Sequence, residues 1–454
     1  MHFFLFRYVL VMGLMLIPFI TIAQAAYQEL MQAATADFLA ERYDTAIIHY
    51  QQAHILAPAG SEKQAKADLG LARCYLDLWD YPKAILLLQK VVHHNGILRG
   101  DALSDLAYAY GLKGYPDQSL PLLDMAEAAF GKKASNEQKV RLQIYRGLCL
   151  NDTGKEKEAI TAYQEGEKII QKQPNAVSEY EKARLYGCLA RQYNYFGWVK
   201  SGRGAVKNLR IAMAKLPNPG YRWGNVFVET YYLFSDGEVD TWSTALRKGL
   251  DSKRLLYASL MQIYAKKSAI VHFTSLETSS EIIAANLGKE SFQYALNLSE
   301  MAVLQFRFDK FTNSDTILST EDYFLQFLEY DENEEIKNFY KSLLIIQESN
   351  TILLKGQFTK KWVIEKNIWK LNEGFLKFDL KRMCALLDTI RVKDANQYTS
   401  LWYAQILTEN AVSCDTIGHG SDASPLFYNL REAERIVKKV AGDSSLLLLN
   451  IYTK

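Results

Sequence analysis

Proline is scarce, 9 in 454 residues, and no glycine- or serine-rich linker interrupts the chain, so nothing divides it into separately tethered domains. Cysteine is scarcer still. The five residues at 74, 149, 188, 384 and 414 are odd in number and widely spaced, which describes no disulfide framework. Cys74 and Cys149 each stand one residue before the aromatic or apolar position of a helix, Tyr75 and Leu150, and read as small buried packers; the alternative is a single opportunistic bridge. An excess of one charge is also missing: 53 basic residues face 51 acidic ones, which argues against a hold on nucleic acid or a membrane surface by bulk electrostatics. Past residue 25 no apolar run is long enough to span a bilayer. Material for a core is ample, with 49% of residues hydrophobic and 23% charged.

The first 25 residues stand apart from this balance. Arg7 is the only basic side chain apart from His2, Tyr8 to Ala23 is almost uninterrupted apolar sequence, and Ala23-Gln24-Ala25 precedes Ala26-Tyr27. A basic start, a short apolar core and a small-x-small site describe a secretory signal peptide cut after Ala25. A retained anchor helix is the other reading. No cysteine follows the run, so acylation of a mature amino-terminal cysteine is excluded.

From Tyr27 to Pro217 one pattern recurs about every 35 to 40 residues, in five copies. Its tightest part is a small residue at the start of a second helix: Ala46, Ala84, Ser119 and Ala159, spaced 38, 35 and 40 apart. Four residues past each comes a large apolar group (Tyr50, Leu88, Leu123, Tyr163), and three later a slim one (Ala53, Val91, Ala126, Gly166), which is one stripe of a helix. Before each turn lies a first helix with its own stripe, as in Leu71-Ala72-x-x-Tyr75 and Leu106-Ala107-x-x-Tyr110. A fifth copy, Leu189-Ala190-x-x-Tyr193-x-x-x-Gly197, reads as carrying three extra residues before Ala205, Leu209, Ala212 and Pro217.

This pattern resembles the tetratricopeptide repeat over about 190 residues. The resemblance implies an all-α, right-handed α-solenoid of antiparallel helix hairpins with a concave inner face, because no single hairpin buries its own apolar surface. The expected division is a leader at 1–25, the array at 26–219, and degenerate repeats at 220–454 that make the carboxy-terminal half irregular. Within that half, apolar spacing predicts helices at Asn225 to Phe234 and Thr241 to Lys266, and Ile270 to Thr274 reads as a short strand without an evident partner. The hairpin pattern returns at Leu287-Gly288 through Tyr294-Ala295 to Met301-Ala302, with echoes at Tyr398 to Ala404 and Ala433 to Tyr452.

Constellations that carry chemistry are weak. Gly147 to Lys155 ends in Gly-Lys, but six residues separate the glycines and Glu156 stands where a phosphate loop has Ser or Thr. Cys414 and His419 lie five apart in a loop-like stretch with no sign of an oxyanion site; a cysteine-dependent enzyme is the remote alternative. His93-His94 are adjacent and diverge on a helix, His49 and His54 are five apart, and the acidic stretch Glu329 to Glu335 lacks the glycine of a calcium loop. No metal and no cofactor are expected.

In the resembled family partners lie in the concave groove against first-helix positions. Carried over by register, these are Arg73, Asp77, Tyr108, Asn151, Arg184, Arg191 and Asn194, a mix suited to an extended peptide or protein segment. Met31 and Thr35 stand where the subset that clamps chaperone tails has Lys and Asn, so that specificity is unsupported. The sequence therefore points to an exported, non-catalytic protein-binding scaffold in the periplasm or outer envelope. Its rivals are a ligand sensor with its output on another chain and a structural assembly element.

Overall fold

The computed structural model describes residues 23–217, 220–265, 272–308, 349, 352 and 425–441. The leader up to residue 22, Cys384, the Cys414–His419 pair, Glu329–Glu335, Tyr398–Ala404 and the stretch after Ala441 lie outside them. Among the described residues all regular structure is helical. Helix α1 (residues 23–39) pairs with α2 (Tyr43–Leu56), α3 (Glu62–Asp77) with α4 (Tyr81–Val91), and α5 (Gly96–Leu112) with α6 (Pro116–Phe130). Two more hairpins follow, α7 (Asn136–Asp152) with α8 (Glu156–Lys172) and α9 (Glu179–Tyr195) with α10 (Val199–Met213). The chain is a tetratricopeptide-like α-solenoid of stacked antiparallel hairpins.

All five hairpins turn by one device. A residue in the left-handed region ends the first helix, at Glu41, Trp79, Gly114, Gly154 and Gly197, with φ between 50° and 100°. The next residue's amide then donates back across six residues: Arg42 to the Asp37 carbonyl, Asp80 to Tyr75, Tyr115 to Tyr110, Lys155 to Leu150 and Trp198 to Tyr193, all within 2.8 to 2.9 Å. This satisfies a carbonyl that the helix end would otherwise leave orphaned. Glycine adopts the conformation without penalty, whereas Glu41 and Trp79 carry a cost of roughly 1 kcal/mol each. Both are held by what they touch. Trp79 packs against the core of α3 to α5 and against a second cluster that runs from Leu255 to Met301, and the Glu41 carboxylate accepts the Arg222 amide at 3.2 Å.

The same register corrects the fifth copy. Ala46, Ala84, Ser119 and Ala159 each lie five residues past the left-handed residue, and the residue five past Gly197 is Gly202. The Gly202 amide donates to the Trp198 carbonyl as Ala46 donates to Arg42 and Ala84 to Asp80, so no insertion separates the helices. Glycine takes the place of alanine here, and Ala205 belongs to the next turn. Ser119 fits the slot by returning its hydroxyl to the Ala107 carbonyl at 2.7 Å, which removes the penalty of burying it.

Between helices, rings lie on glycines. A Cβ on Gly70 would meet the Tyr50 ring at 2.4 Å, one on Gly100 the Phe130 ring at 2.5 Å, and one on Gly147 the Tyr163 ring at 2.2 Å. Cys74, Cys149 and Cys188 are buried in this packing. Burial pushes the Cys74 and Cys188 thiols upward, which leaves them inert.

Beyond the array come α11 (Tyr221–Thr230), α12 (Asp236–Gly249), α13 (Leu255–Ala265), α14 (His272–Leu287), α15 (Phe292–Phe308) and α16 (Pro425–Ala441). The helix expected over Thr241 to Lys266 is two helices, because the Asp251 side chain accepts the Lys253 amide at 2.9 Å and turns the chain between them. The strand expected at Ile270 to Thr274 is overturned at its end, since α14 is helical from His272. Gly288 closes the α14–α15 hairpin with φ of 84°, as its sequence predicts. Helix α16 docks by its carboxy-terminal end: Trp198 Nε1 donates to the Ala441 carbonyl at 2.6 Å, and Lys157 Nζ to the Lys439 carbonyl at 2.6 Å.

Candidate functional site

The first helices carry charged side chains on the inner side of the array, and these bind one another from repeat to repeat. Arg73 on α3 donates through Nε to Asp105 Oδ2 on α5 at 2.8 Å and has Asp101 Oδ1 2.9 Å from Nη2. Arg141 on α7 donates through Nε to Glu181 Oε1 on α9 at 2.8 Å, and Arg184 Nη1 donates to the other oxygen of Glu181 at 3.2 Å. Charge-assisted bonds are the strong ones, and here they fasten the second repeat to the third and the fourth to the fifth, while Arg184 and Glu181 pair within α9.

Aromatic rings fill the space between these pairs. Tyr108 and Tyr145 stack with centroids 4.4 Å apart, and the Arg184 guanidinium lies 4.9, 5.1 and 5.5 Å from the rings of Tyr108, Tyr145 and Tyr180. A guanidinium is held well by such faces because it is planar and weakly hydrated. Burial alone would push the Glu181 carboxyl upward, but Arg184 and Arg141 hold it below the usual glutamate range. Asp105 goes the other way: burial raises it despite Arg73.

Helix α11 then folds back over this face. Arg222 reaches Asp77 Oδ2 through Nε at 3.3 Å, while Tyr43 donates its hydroxyl to the same oxygen at 2.8 Å. The Arg222 guanidinium also sits 4.5 Å over the Phe38 ring and 5.4 Å from that of Tyr180, and Asn225 Nδ2 donates to the Asp77 carbonyl at 3.2 Å. Beneath α11 a cavity of about 160 Å³ remains, bounded by α1, α3, α5, α7, α9 and α11.

The seven groove residues expected from sequence divide into two sets. Arg73, Asp77, Tyr108 and Arg184 come together around this cavity, each already engaged with the chain's own groups. Asn151, Arg191 and Asn194 lie farther along the array, half-buried or exposed, and their side chains make no hydrogen bond or ion pair among the described residues. Asp105, Arg141, Glu181 and Arg222 were not singled out by sequence. The available signal was the pairing of Glu181 with Arg184 three residues on and the return of charge at Arg141 and Glu181 one repeat apart. His49 and His54 each face a carboxylate, Asp37 at 3.0 Å and Asp68 at 2.6 Å, and no cluster of three metal-ligating side chains occurs among the described residues. Nor is any described helix long and apolar enough to cross a membrane.

No family model matches this chain. No curated protein matches it either. Among solved structures, yeast Tom70 aligns over 95% of this chain and 99% of its own, at 15% identity and a TM-score of 0.31. An overlap that low transfers neither site nor function, so the assignment as a tetratricopeptide-like solenoid rests on the chain's own five hairpins and their shared turn.

Proposed function

We propose that this chain is an exported, non-catalytic interaction scaffold that binds a protein or peptide partner along its concave groove, in the periplasm or at the outer envelope, without metal or cofactor. Asn151, Arg191 and Asn194 form the first contact surface. The observation that carries this reading is that Asn151 and Asn194 hold equivalent register positions in successive repeats, each one residue past the aromatic or apolar motif position, with side chains bound to nothing else among the described residues. Polar groups without internal partners, at repeat spacing on one side of a rigid array, suit the backbone and side chains of an extended segment. Arg73, Asp77, Tyr108 and Arg184 continue the same face, and a partner reaches them only where α11 gives way.

Export is supported by the leader and by where packing begins. Among the described residues the first core side chain is Tyr27, whose hydroxyl donates to the Lys63 carbonyl at 2.7 Å, so a cut after Ala25 trims the start of α1 without removing a core side chain.

A photoreactive phenylalanine derivative placed at Asn194 is expected to crosslink one discrete partner in intact cells, while the same group at Lys168, exposed on second helix α8, yields none. Equal crosslinking from both positions, or crosslinking only from Lys168, rejects the groove assignment.

A further inference from the structure

The charges of the chain nearly cancel overall, 53 basic against 51 acidic, but they are not spread evenly over its outer side. Helix α10 carries Lys200, Arg203, Lys207 and Arg210 and no acidic residue. Arg210 is paired with Glu238. Lys200, Arg203 and Lys207 are exposed and make no ion pair among the described residues. Like charges three and four residues apart repel across a helix face, so this stripe is unfavourable until an anion covers it.

The spacing sets the stripe in a line. Positions 200, 204, 207, 211 and 214 recur at intervals of four and three, which is one face of a helix. Along it stand Lys200, Gly204, Lys207, Ile211 and Ala214, all exposed, with Arg203 beside them. Ile211 is 49% exposed, and a methyl added at Gly204 would meet no atom of another element within 4 Å. Cations, small residues and one open apolar side chain share this face. One repeat earlier, α8 adds exposed Lys168 and Lys172 at the register of Ile211 and Lys215, against exposed Glu158 and Glu165.

We infer that this outer face rests on an anionic lipid bilayer, with Lys200, Arg203 and Lys207 against the headgroups and Ile211 at the edge of the acyl region. A basic helix face that includes an apolar side chain matches the bilayer boundary in both respects. A soluble polyanion would satisfy only the cations and leave Ile211 in water. Second helices form the outer side of the array, whereas Asn151, Arg191 and Asn194 stand on first helices, so the docked chain keeps its inner side away from the lipid. The inference is independent of the groove reading, and its readout requires no protein partner.

The test is flotation of the full chain with vesicles of phosphatidylcholine alone and of phosphatidylcholine mixed with phosphatidylglycerol. The parent is compared with a variant carrying Lys200→Gln, Arg203→Gln and Lys207→Gln, three changes at exposed positions, with helicity checked by circular dichroism. The leader is common to both chains, so its own affinity for lipid cancels in the comparison. The parent is expected to prefer the anionic vesicles, and the variant to bind them about a hundredfold more weakly, roughly fivefold for each charge removed. Salt near 1 M is expected to erase that difference, because it screens beyond about 3 Å. Equal binding of parent and variant to anionic vesicles, or a difference of the same size on phosphatidylcholine alone, overturns the inference. So does capture of the parent by polyglutamate without preference for anionic vesicles, which would make an acidic protein segment the occupant.

Discussion

Glu181→Gln should lower the free energy of unfolding by roughly 3 to 5 kcal/mol at neutral pH, measured by denaturant titration followed by circular dichroism. Glu181 is buried and is shared by Arg141 and Arg184, which reach it from two successive first helices. A neutral amide keeps the shape but removes the only carboxylate paired with Arg184 among the described residues, and a buried guanidinium without a counter-charge is the costly state. The effect has a defined pH dependence. Arg184 and Arg141 hold the folded carboxyl below the value of an unfolded glutamate, against the upward push of burial. Its stabilisation is therefore complete above about pH 4.3, the unfolded value, and is lost as pH falls through the lower folded value. The gap between parent and variant should be widest near neutrality and close in acid. A gap independent of pH, or one that widens in acid, excludes the pairing.

Gly147→Ala should be the most damaging single-methyl change in the array. The new Cβ would lie 2.2 Å from Tyr163 Cε1 and 2.6 Å from Cδ1 and Cζ, and Tyr163 is completely buried. The ring has nowhere to turn, so α7 and α8 must separate. Overpacking of this kind costs about 1 to 3 kcal/mol, and a contact this short belongs at the upper end. The counterpart is Gly204→Ala at an exposed position of α10, where no atom of another element lies within 4 Å of the added methyl. There the gain in helix propensity should stabilise by about 0.5 to 1 kcal/mol. Opposite signs for two chemically identical substitutions isolate the packing effect, and thermal melts of the two variants decide it. Matching signs would show that Tyr163 does not sit on Gly147.

How much of this was legible in the sequence follows from the range of each interaction. The hairpins were readable because helix stripes and turn residues lie within a few positions of one another, and Gly114, Gly154 and Gly197 mark the turns directly. Glu41 and Trp79 do the same work without announcing it, since neither residue type signals a left-handed conformation. The fifth copy was misread because alanine was sought at a position that Gly202 fills. Tyr163 on Gly147 was half visible: the ring position was part of the repeat, but the glycine beneath it was not. The inner face was legible only in its residue types. Arg73 and Tyr108 were found by register, yet their partners lie on other helices, with Asp105 32 residues from Arg73 and Glu181 40 from Arg141. The return of α11 is harder still, because Arg222 and Asp77 are 145 residues apart and no local pattern encodes that contact.

That contact also bears on the proposed groove, since α11 covers the face at Arg73, Asp77, Tyr108 and Arg184 and, on the proposed reading, Asn151, Arg191 and Asn194 are the part open to a partner. A double-mutant cycle tests it most directly, with Asp77→Ala, Arg222→Ala and the double variant compared by denaturant unfolding. The Arg222 Nε to Asp77 Oδ2 distance of 3.3 Å between two largely buried side chains predicts a coupling of about 1 kcal/mol or more. Additivity within about 0.5 kcal/mol would contradict it, and with it the sealing of the groove by α11.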